Sequence, residues 1–441
     1  MENSYIIKGG KPLQGEVTLS GAKNVAVKVL IAALLFEGEV IIKNIPRIRD
    51  VYELIELLKH LGTTVSFIDK NTISINGDTI KSNKPDEWHA SKIRTSFMLF
   101  APLLHKFKEA FIPNPGGCNI GARALDRIVE GMQAVGIEVT FDDTTGYYHA
   151  QMKSLPKGNY TFKKPSHTGT ELMIILSVLS HDTIFINNAG MEPEIDDLIN
   201  FLNQAGANIS RDHSQIKITG VKELRQTAPY TISMDRIEAI TYAVLAIATK
   251  GDIIISKLEE PAIKTFNDKL IEAGGGVEHL ADGRWRYFYK GALQSVNITT
   301  DPHPGFMTDW QPPWAFLMTQ AKGDSTIVER IYENRFAYID EFKKLGADIN
   351  YIDYPVTNPA TFFFFNYDEN KTYKQAISIK GLQKLHSAEL LVADLRAGAT
   401  LAIAALAVDG ESIIKGVAMM ERGYEDFEEK ITALGGNIQK V

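Results

Sequence analysis

One cysteine, Cys118, stands in a chain of 441 residues. A lone thiol excludes an intrachain disulfide and any cysteine-built metal site, and it fits a reducing compartment. The 10 histidines show no His-x-x-x-His spacing, so no metal is indicated. No Walker loop and no Gly-x-Gly-x-x-Gly occurs, so no ordinary nucleotide-cofactor fold is signalled and no cofactor is expected. No apolar run reaches the length of a membrane span. The nearest, residues 25–36, is short and contains Lys28. Residues 1–15 lack the apolar core of a signal peptide, so a cytoplasmic setting is expected. A net charge of −7 argues against a broadly basic nucleic-acid surface. It leaves room for a local basic pocket, because charge can be focused in a cleft.

What is present is a globular composition, 44% hydrophobic and 23% charged, on a chain too long for one ordinary core. The residues around Cys118 are unusual. Pro113, Pro115, Gly116, Gly117 and Gly121 surround it, and such a run is neither helix nor central strand. Just beyond, Leu125, Ile128, Val129, Met132 and Val135 fall at helical spacing. The pattern predicts a thiol-bearing loop ending at a helix N-terminus, where free N–H groups attract anions, with Arg123 in the first turn.

The chain repeats itself. Each unit has an apolar helix, a tight turn, an apolar strand and an amphipathic helix closed by glycine. Six copies close at Gly62, Gly136, Gly206, Gly274, Gly346 and Gly435. A repeat of about forty residues or more is an architectural period. The first helices are apolar nearly all round and should be buried; the second carry charge on one face and should lie outside. Three units would make each domain. The expected boundaries put residues 22–230 in the first domain, with the Cys118 loop, and residues 1–21 and 231–441 in the second. The strand near residues 16–19 is expected to pair with the second domain. The run Phe362, Phe363, Phe364, Phe365 suggests a buried strand.

Cations recur where units begin. Lys23 follows Ser20-Gly21-Ala22 at a helix start, and Arg94, Arg123, Arg236 and Arg396 head other units. Arg335 and Arg422 stand at second helices. Helix N-termini disfavour cations, so such a set implies anionic partners, either carboxylates or a ligand. A Pro/Gly loop at residues 299–310 delivers Asp309 to another helix start, as a cap or as a general base. His303, between two prolines, suits a turn.

Together these residues resemble the UDP-sugar branch of the enolpyruvyl transferases. The likeness covers essentially the whole chain. It rests on Leu19-Ser20-Gly21-Ala22-Lys23-Asn24, on Pro115-Gly116-Gly117-Cys118-Asn119-Ile120-Gly121-Ala122-Arg123, and on Glu192-Pro193-Glu194-Ile195. Further on it rests on His303-Pro304-Gly305-Phe306-Met307-Thr308-Asp309, Glu333-Asn334-Arg335-Phe336, Asp394-Leu395-Arg396-Ala397 and Arg422-Gly423-Tyr424.

The resemblance implies an α/β fold of two inside-out, barrel-like domains, each of three βαβαββ-type units, with the active site in the cleft between them. It implies transfer of the enolpyruvyl group of phosphoenolpyruvate to the 3-hydroxyl of UDP-N-acetylglucosamine, the first committed step of peptidoglycan precursor synthesis. Carried over by position, Lys23 and Asn24 would bind phosphoenolpyruvate with Arg123, Arg396 and Arg422. Cys118 would protonate the methylene carbon or assist product release, and fosfomycin would alkylate it. Arg94, Arg123, Ala124, Leu125, Asp126, Arg127, Lys164, Ser166, His167, Asp309 and Ile331 would line the UDP-sugar, with Asp309 taking the hydroxyl proton. Arg49, Arg236, Arg335 and Asp394 would support the site.

Arg49 stands where lysine is usual, Met419 where histidine is usual, and Ala239-Ile240 replaces Thr-Gly. These departures bear on the acceptor. Two alternatives are transfer to a different nucleotide or sugar, and a non-catalytic UDP-sugar-binding relative.

Overall fold

The computed structural model describes residues 3–116 and 125–441. Cys118, Arg123 and Ala124 lie outside the described residues. Two compact units emerge, one of residues 3–20 and 234–441, the other of residues 21–116 and 125–233.

In the unit of residues 21–233, the helices Lys23–Ala32, Phe100–Phe107 and His167–Ser177 are largely buried. Helices apolar on all sides can only be stable when surrounded. The helices Arg49–His60, Asp126–Ala134 and Pro193–Gln204 bury one stripe and leave most of their charges outside, with Asp50, Glu194 and Asp197 as buried exceptions. Three sheets complete the unit. One runs Tyr230–Thr231, Glu39–Lys43, Ile73–Asn76, Thr64–Phe67. The last three strands are antiparallel, with Val40 opposite Ile75 and Ile75 opposite Val65. The first is a parallel edge strand. A second sheet, Asn208–Asp212, Gln215–Thr219, Thr183–Asn187 and Tyr160–Thr161, repeats this plan. The third has Glu109–Pro113, Tyr147–Gln151 and Glu138–Asp142. The sheets are separate and open; among the described residues no closed barrel forms.

The other unit repeats the plan around the buried helices Arg236–Ala248, Gln311–Met318 and Leu395–Ala407. Gln14–Val17 pairs in parallel with Asp252–Ile255. Ser4–Gly9, which the repeat pattern does not announce, lies between Gly410–Lys415 and Asn437–Lys440, antiparallel to both. The phenylalanine run is not a strand. Pro359–Phe362 is a short helix, and Phe363 and Phe365 pack with Tyr367 and Tyr373. Burial there comes from ring contacts within a loop, which an apolar run cannot distinguish from a sheet.

The six closing glycines all have φ between 88° and 98°, the left-handed cap that L-residues resist. A second glycine set was not evident from sequence. It sits where a strand end meets the end of a buried helix. A Cβ on Gly220 would lie 1.9 Å from Ser180 O, and one on Gly9 2.0 Å from Ala405 O. Gly220→Ala should therefore destabilise by about 3 kcal/mol through overpacking. Gly206→Ala, with φ +98° but open space around it, should cost only about 1–2 kcal/mol. Urea denaturation of both variants checks the order, and equal costs would show that the backbone gives way at Gly220.

Candidate active site

Gly21 leads into the helix Lys23–Ala32 with no room for a side chain: a Cβ would lie 1.7 Å from Asn44 O. The first helical residue, Lys23, sets its Nζ 2.6 Å from Asp50 Oδ2, and both side chains are nearly buried. Asp50 comes from the first turn of Arg49–His60. Asn24 is half-buried beside Lys23. Arg49 begins its helix, half-exposed, 3.7 Å from Glu53.

Arg94 opens a 3-10 turn, Arg94–Leu99, and Asp126 opens the helix Asp126–Ala134. Both act on Tyr148: burial pushes its phenol up, Asp126 adds to this, and Arg94 opposes it. Leu125 is buried at the cap position. Arg127 and Lys164 are a like-charged pair. Burial pulls Arg127 down while Asp126, Tyr160 and Glu130 oppose it. Burial and the neighbouring Arg127 charge pull Lys164 down. Two half-buried cations that repel one another are relieved by negative charge nearby, as Asp126 and Glu130 supply to Arg127. Ser166 caps the helix His167–Ser177, accepting from Gly169 N at 3.2 Å.

In the unit of residues 3–20 and 234–441, Asp309 lies in the 3-10 turn Thr308–Trp310, whose N-cap position is Met307. Arg335 Nη2 donates to Asp309 Oδ1 at 2.5 Å, and Arg335 Nη1 donates to Thr308 Oγ1 at 2.8 Å. Asp309 is thus one half of an ion pair. Thr308 Oγ1 in turn donates to Glu329 Oε2 at 2.8 Å. Glu329, fully buried, also accepts from Ile331 N at 2.7 Å and Tyr332 N at 3.1 Å. One carboxylate thus fixes the turn bearing Asp309 and the loop bearing Ile331. Burial pushes the Glu329 carboxyl up, against the pull of Arg335.

Arg236 and Arg396 stand at helix starts as the pattern predicts. Arg236 is committed to the protein: its Nη1 donates to Ala262 O at 3.2 Å and meets His303 Nδ1 at 3.2 Å. Arg396 differs. Its guanidinium lies over the Tyr424 ring, 5.2 Å from the centroid, and 3.9 Å from Asp235. Nη1 is buried with no hydrogen-bond partner. Burial would lower its proton affinity, but Tyr424, Asp235 and Asp309 more than offset this, so it stays cationic. A buried donor left unpaired costs about 1–3 kcal/mol, which an anionic ligand would recover. Asp394 is a helix cap, accepting from Arg396 N at 2.9 Å and Ala397 N at 3.0 Å.

Arg335 and Arg422 stand a few residues before the second helices of their units, Ile339–Lys344 and Phe427–Ala433. Arg422 ends the 3-10 turn Val417–Arg422. Arg422 Nη1 lies 3.8 Å from Met419 Sδ, so the methionine does contact the arginine.

Three partners escaped the sequence reading: Asp50, Glu329, and the Glu238–Lys430 pair. Lys430 Nζ donates to Ser20 Oγ and Glu238 Oε1, both at 2.7 Å, and Glu238 Oε2 accepts from Ser20 N at 2.6 Å. They secure the residue just before Gly21. The only sequence signal was an acid inside an otherwise apolar helix, as Glu238 is.

Open sheets of three or four strands surround buried helices, with cations at several helix starts, and this is the fold of known enolpyruvyl transferases. The fold matches the enolpyruvyl transferase NikO from Streptomyces tendae at a TM-score of 0.86 over 100% of this chain and 99% of that one, at 21% identity. It matches EPSP synthase from Acinetobacter baumannii at 0.72 and 16% identity, covering 100% of both. The chain belongs to the EPSP synthase (3-phosphoshikimate 1-carboxyvinyltransferase) family, whose model matches residues 7–431. Among its relatives is UDP-N-acetylglucosamine 1-carboxyvinyltransferase 3 of Caldanaerobacter subterraneus subsp. tengcongensis, 38% identical over 438 residues and 99% of both chains. Another is UDP-N-acetylglucosamine 1-carboxyvinyltransferase 1 of Carboxydothermus hydrogenoformans, 37% identical over 443 residues, 100% of this chain and 99% of that one.

Proposed function

We propose that the protein transfers the enolpyruvyl group of phosphoenolpyruvate to the 3-hydroxyl of UDP-N-acetylglucosamine and releases phosphate, in the cytoplasm, for peptidoglycan synthesis. The observation that carries this is full-length identity of 37–38% with enzymes of that name. The pairs Lys23–Asp50 and Asp309–Arg335 are consistent with it.

The reaction is an addition followed by an elimination. Asp309 takes the proton of the sugar hydroxyl as its oxygen bonds to C2 of phosphoenolpyruvate, and Cys118 delivers a proton to C3. In the second step a proton returns from C3 to the Cys118 thiolate as the C2–O bond to phosphate breaks. Lys23, Asn24, Arg123, Arg396 and Arg422 hold the trianionic donor. Fixed cations of this kind stabilise charge that grows on the departing phosphate. Arg94, Asp126, Arg127, Lys164, Ser166, His167 and Ile331 hold the nucleotide sugar. Neither small-molecule substrate requires a nucleic acid or a membrane, and among the described residues no helix is long and apolar enough to cross one.

The test is phosphate release from phosphoenolpyruvate with and without UDP-N-acetylglucosamine, with product mass read by mass spectrometry. Acceptor-dependent release and a sugar nucleotide heavier by one enolpyruvyl group are expected. Release with another acceptor alone would move the proposal to that acceptor. Fosfomycin should add to Cys118, and UDP-N-acetylglucosamine should change the rate.

A further inference from the structure

We propose that Lys28, Glu171 and Glu192 hold His167 as a positively charged binding group for the diphosphate of the acceptor, so that acceptor affinity falls as pH rises. This rests on the reading that residues 164–167 face the nucleotide sugar.

The cluster is built across elements of one unit. Glu171, fully buried, lies within 2.9 Å of Lys28 Nζ, which is itself 4% exposed. His167 Nε2 lies 3.1 Å from Glu171 Oε1, one helical turn away. Glu192 acts on His167 as a second anion, and its Oε2 is buried with no hydrogen-bond partner. Glu171 therefore faces both Lys28 and His167, and Glu192 adds a second negative charge on the imidazole. Protonation of the imidazole offsets these carboxylates, and an uncompensated buried charge is costly.

His167 is also the first residue of an 11-residue helix, where the dipole disfavours a cation. The two carboxylates are what sustain it there. Burial lowers the imidazole's proton affinity, Glu171 raises it, Lys28 lowers it and Glu192 raises it; the net direction is up. Glu171 is held below its usual range: burial raises it, but His167 and Lys28 outweigh that.

The surrounding elements carry other charged groups. The helix Phe100–Phe107 brings His105, whose Nε2 is 2.8 Å from Leu176 O, at the far end of the helix. The helix Pro193–Gln204 brings Glu194, Asp196 and Asp197. Asp196 pairs with Arg211 at 2.8 Å, and Asp197 accepts from Ser233 N at 2.8 Å. Arg211 also donates to Gly190 O at 2.6 Å. The helix Asp126–Ala134 brings Arg127, beside Lys164. With its Nε2 turned to Glu171, His167 can offer Nδ1 as a donor only in the imidazolium form.

The sign follows from the direction of the shift. A raised imidazole contributes fully below its unfolded value of about 6.5 and loses the contribution as pH climbs through the folded value. Acceptor binding should follow the same course.

Two measurements test this. NMR titration of the His167 ring in the full chain should give a midpoint above about 6.5, and Glu171→Gln should move it down. A midpoint at or below that value in the wild type overturns the cluster, whatever the enzyme transfers. Because Glu171→Gln strands Lys28, circular dichroism must first show the variant folded; Glu192→Gln, which should lower the midpoint by less, serves if it is not. Steady-state kinetics then ask whether the histidine meets the acceptor. KM for UDP-N-acetylglucosamine should rise about tenfold above the His167 midpoint, a charge-assisted hydrogen bond being of that worth, while KM for phosphoenolpyruvate stays flat across that midpoint. His167→Asn should show the raised acceptor KM at all pH values. An unchanged acceptor KM in His167→Asn overturns the binding role. If no transfer to UDP-N-acetylglucosamine occurs in the wild type, the proposed function has failed and the NMR result still stands by itself.

Discussion

Asp309→Asn is expected to lower kcat between about 100-fold and 10,000-fold, the range that a positioned general base contributes, with little change in acceptor KM. Asparagine keeps the shape and one acceptor oxygen but cannot take up the sugar proton. The position is well fixed: Arg335 Nη2 donates to Asp309 Oδ1 at 2.5 Å, and Arg335 is in turn tied to Thr308. The variant should therefore fold and bind its acceptor. The measurements are kcat, acceptor KM, and the pH–rate profile, whose acidic limb should flatten. A variant within threefold of wild type would remove Asp309 from the chemistry. Glu329→Gln should show a milder version, a drop of about tenfold, because an amide NH₂ placed against Ile331 N or Gln311 Nε2 breaks one of the bonds that hold the turn.

Lys23→Met should reduce kcat/KM for phosphoenolpyruvate by about one to two orders of magnitude, the worth of a charge-assisted contact. It should also destabilise the protein, because Asp50 is 8% exposed and loses a cation 2.6 Å away. The two effects can be separated. Lys23→Met combined with Asp50→Asn should recover most of the stability and none of the activity. Denaturation midpoints and donor kinetics on both proteins give the answer. Activity returning with stability would mean that the lysine serves the fold alone.

The repeat was legible because its signals are local. A helix that is apolar on every side and a glycine that follows an amphipathic helix are each visible within a dozen residues, and both occur where expected, as at Leu401 and Gly435. The cations at helix starts were legible for the same reason. What stayed hidden depends on distance in the chain. Nothing near Ser20 announces that Lys430 will bond to it, and Glu329 looks like any acid at the end of a strand until its hydrogen bonds to Thr308 and Ile331 are seen. The phenylalanine run misled because four adjacent aromatic residues satisfy a strand and an aromatic loop equally well. Arg236 and Arg396 have the same sequence signature at helix starts. Only their surroundings tell the carbonyl-bound guanidinium from the one with an unpaired nitrogen.

The strand Ser4–Gly9 sits between Gly410–Lys415 and Asn437–Lys440. On the ribosome it emerges about 400 residues ahead of both its neighbours. At about 5–20 residues per second, it waits roughly 20–80 seconds for them. Throughout that interval it carries Ile7, wholly buried in the finished protein, and backbone groups that any other exposed strand edge could capture. The sheets of the other unit, residues 21–116 and 125–233, draw all their strands from between Glu39 and Thr231 and can pair while synthesis continues. Birth of the protein is therefore staggered: the sheets between residues 39 and 231 can mature early, while Ser4–Gly9 must stay unclaimed until Gly410–Lys415 and Asn437–Lys440 have been made.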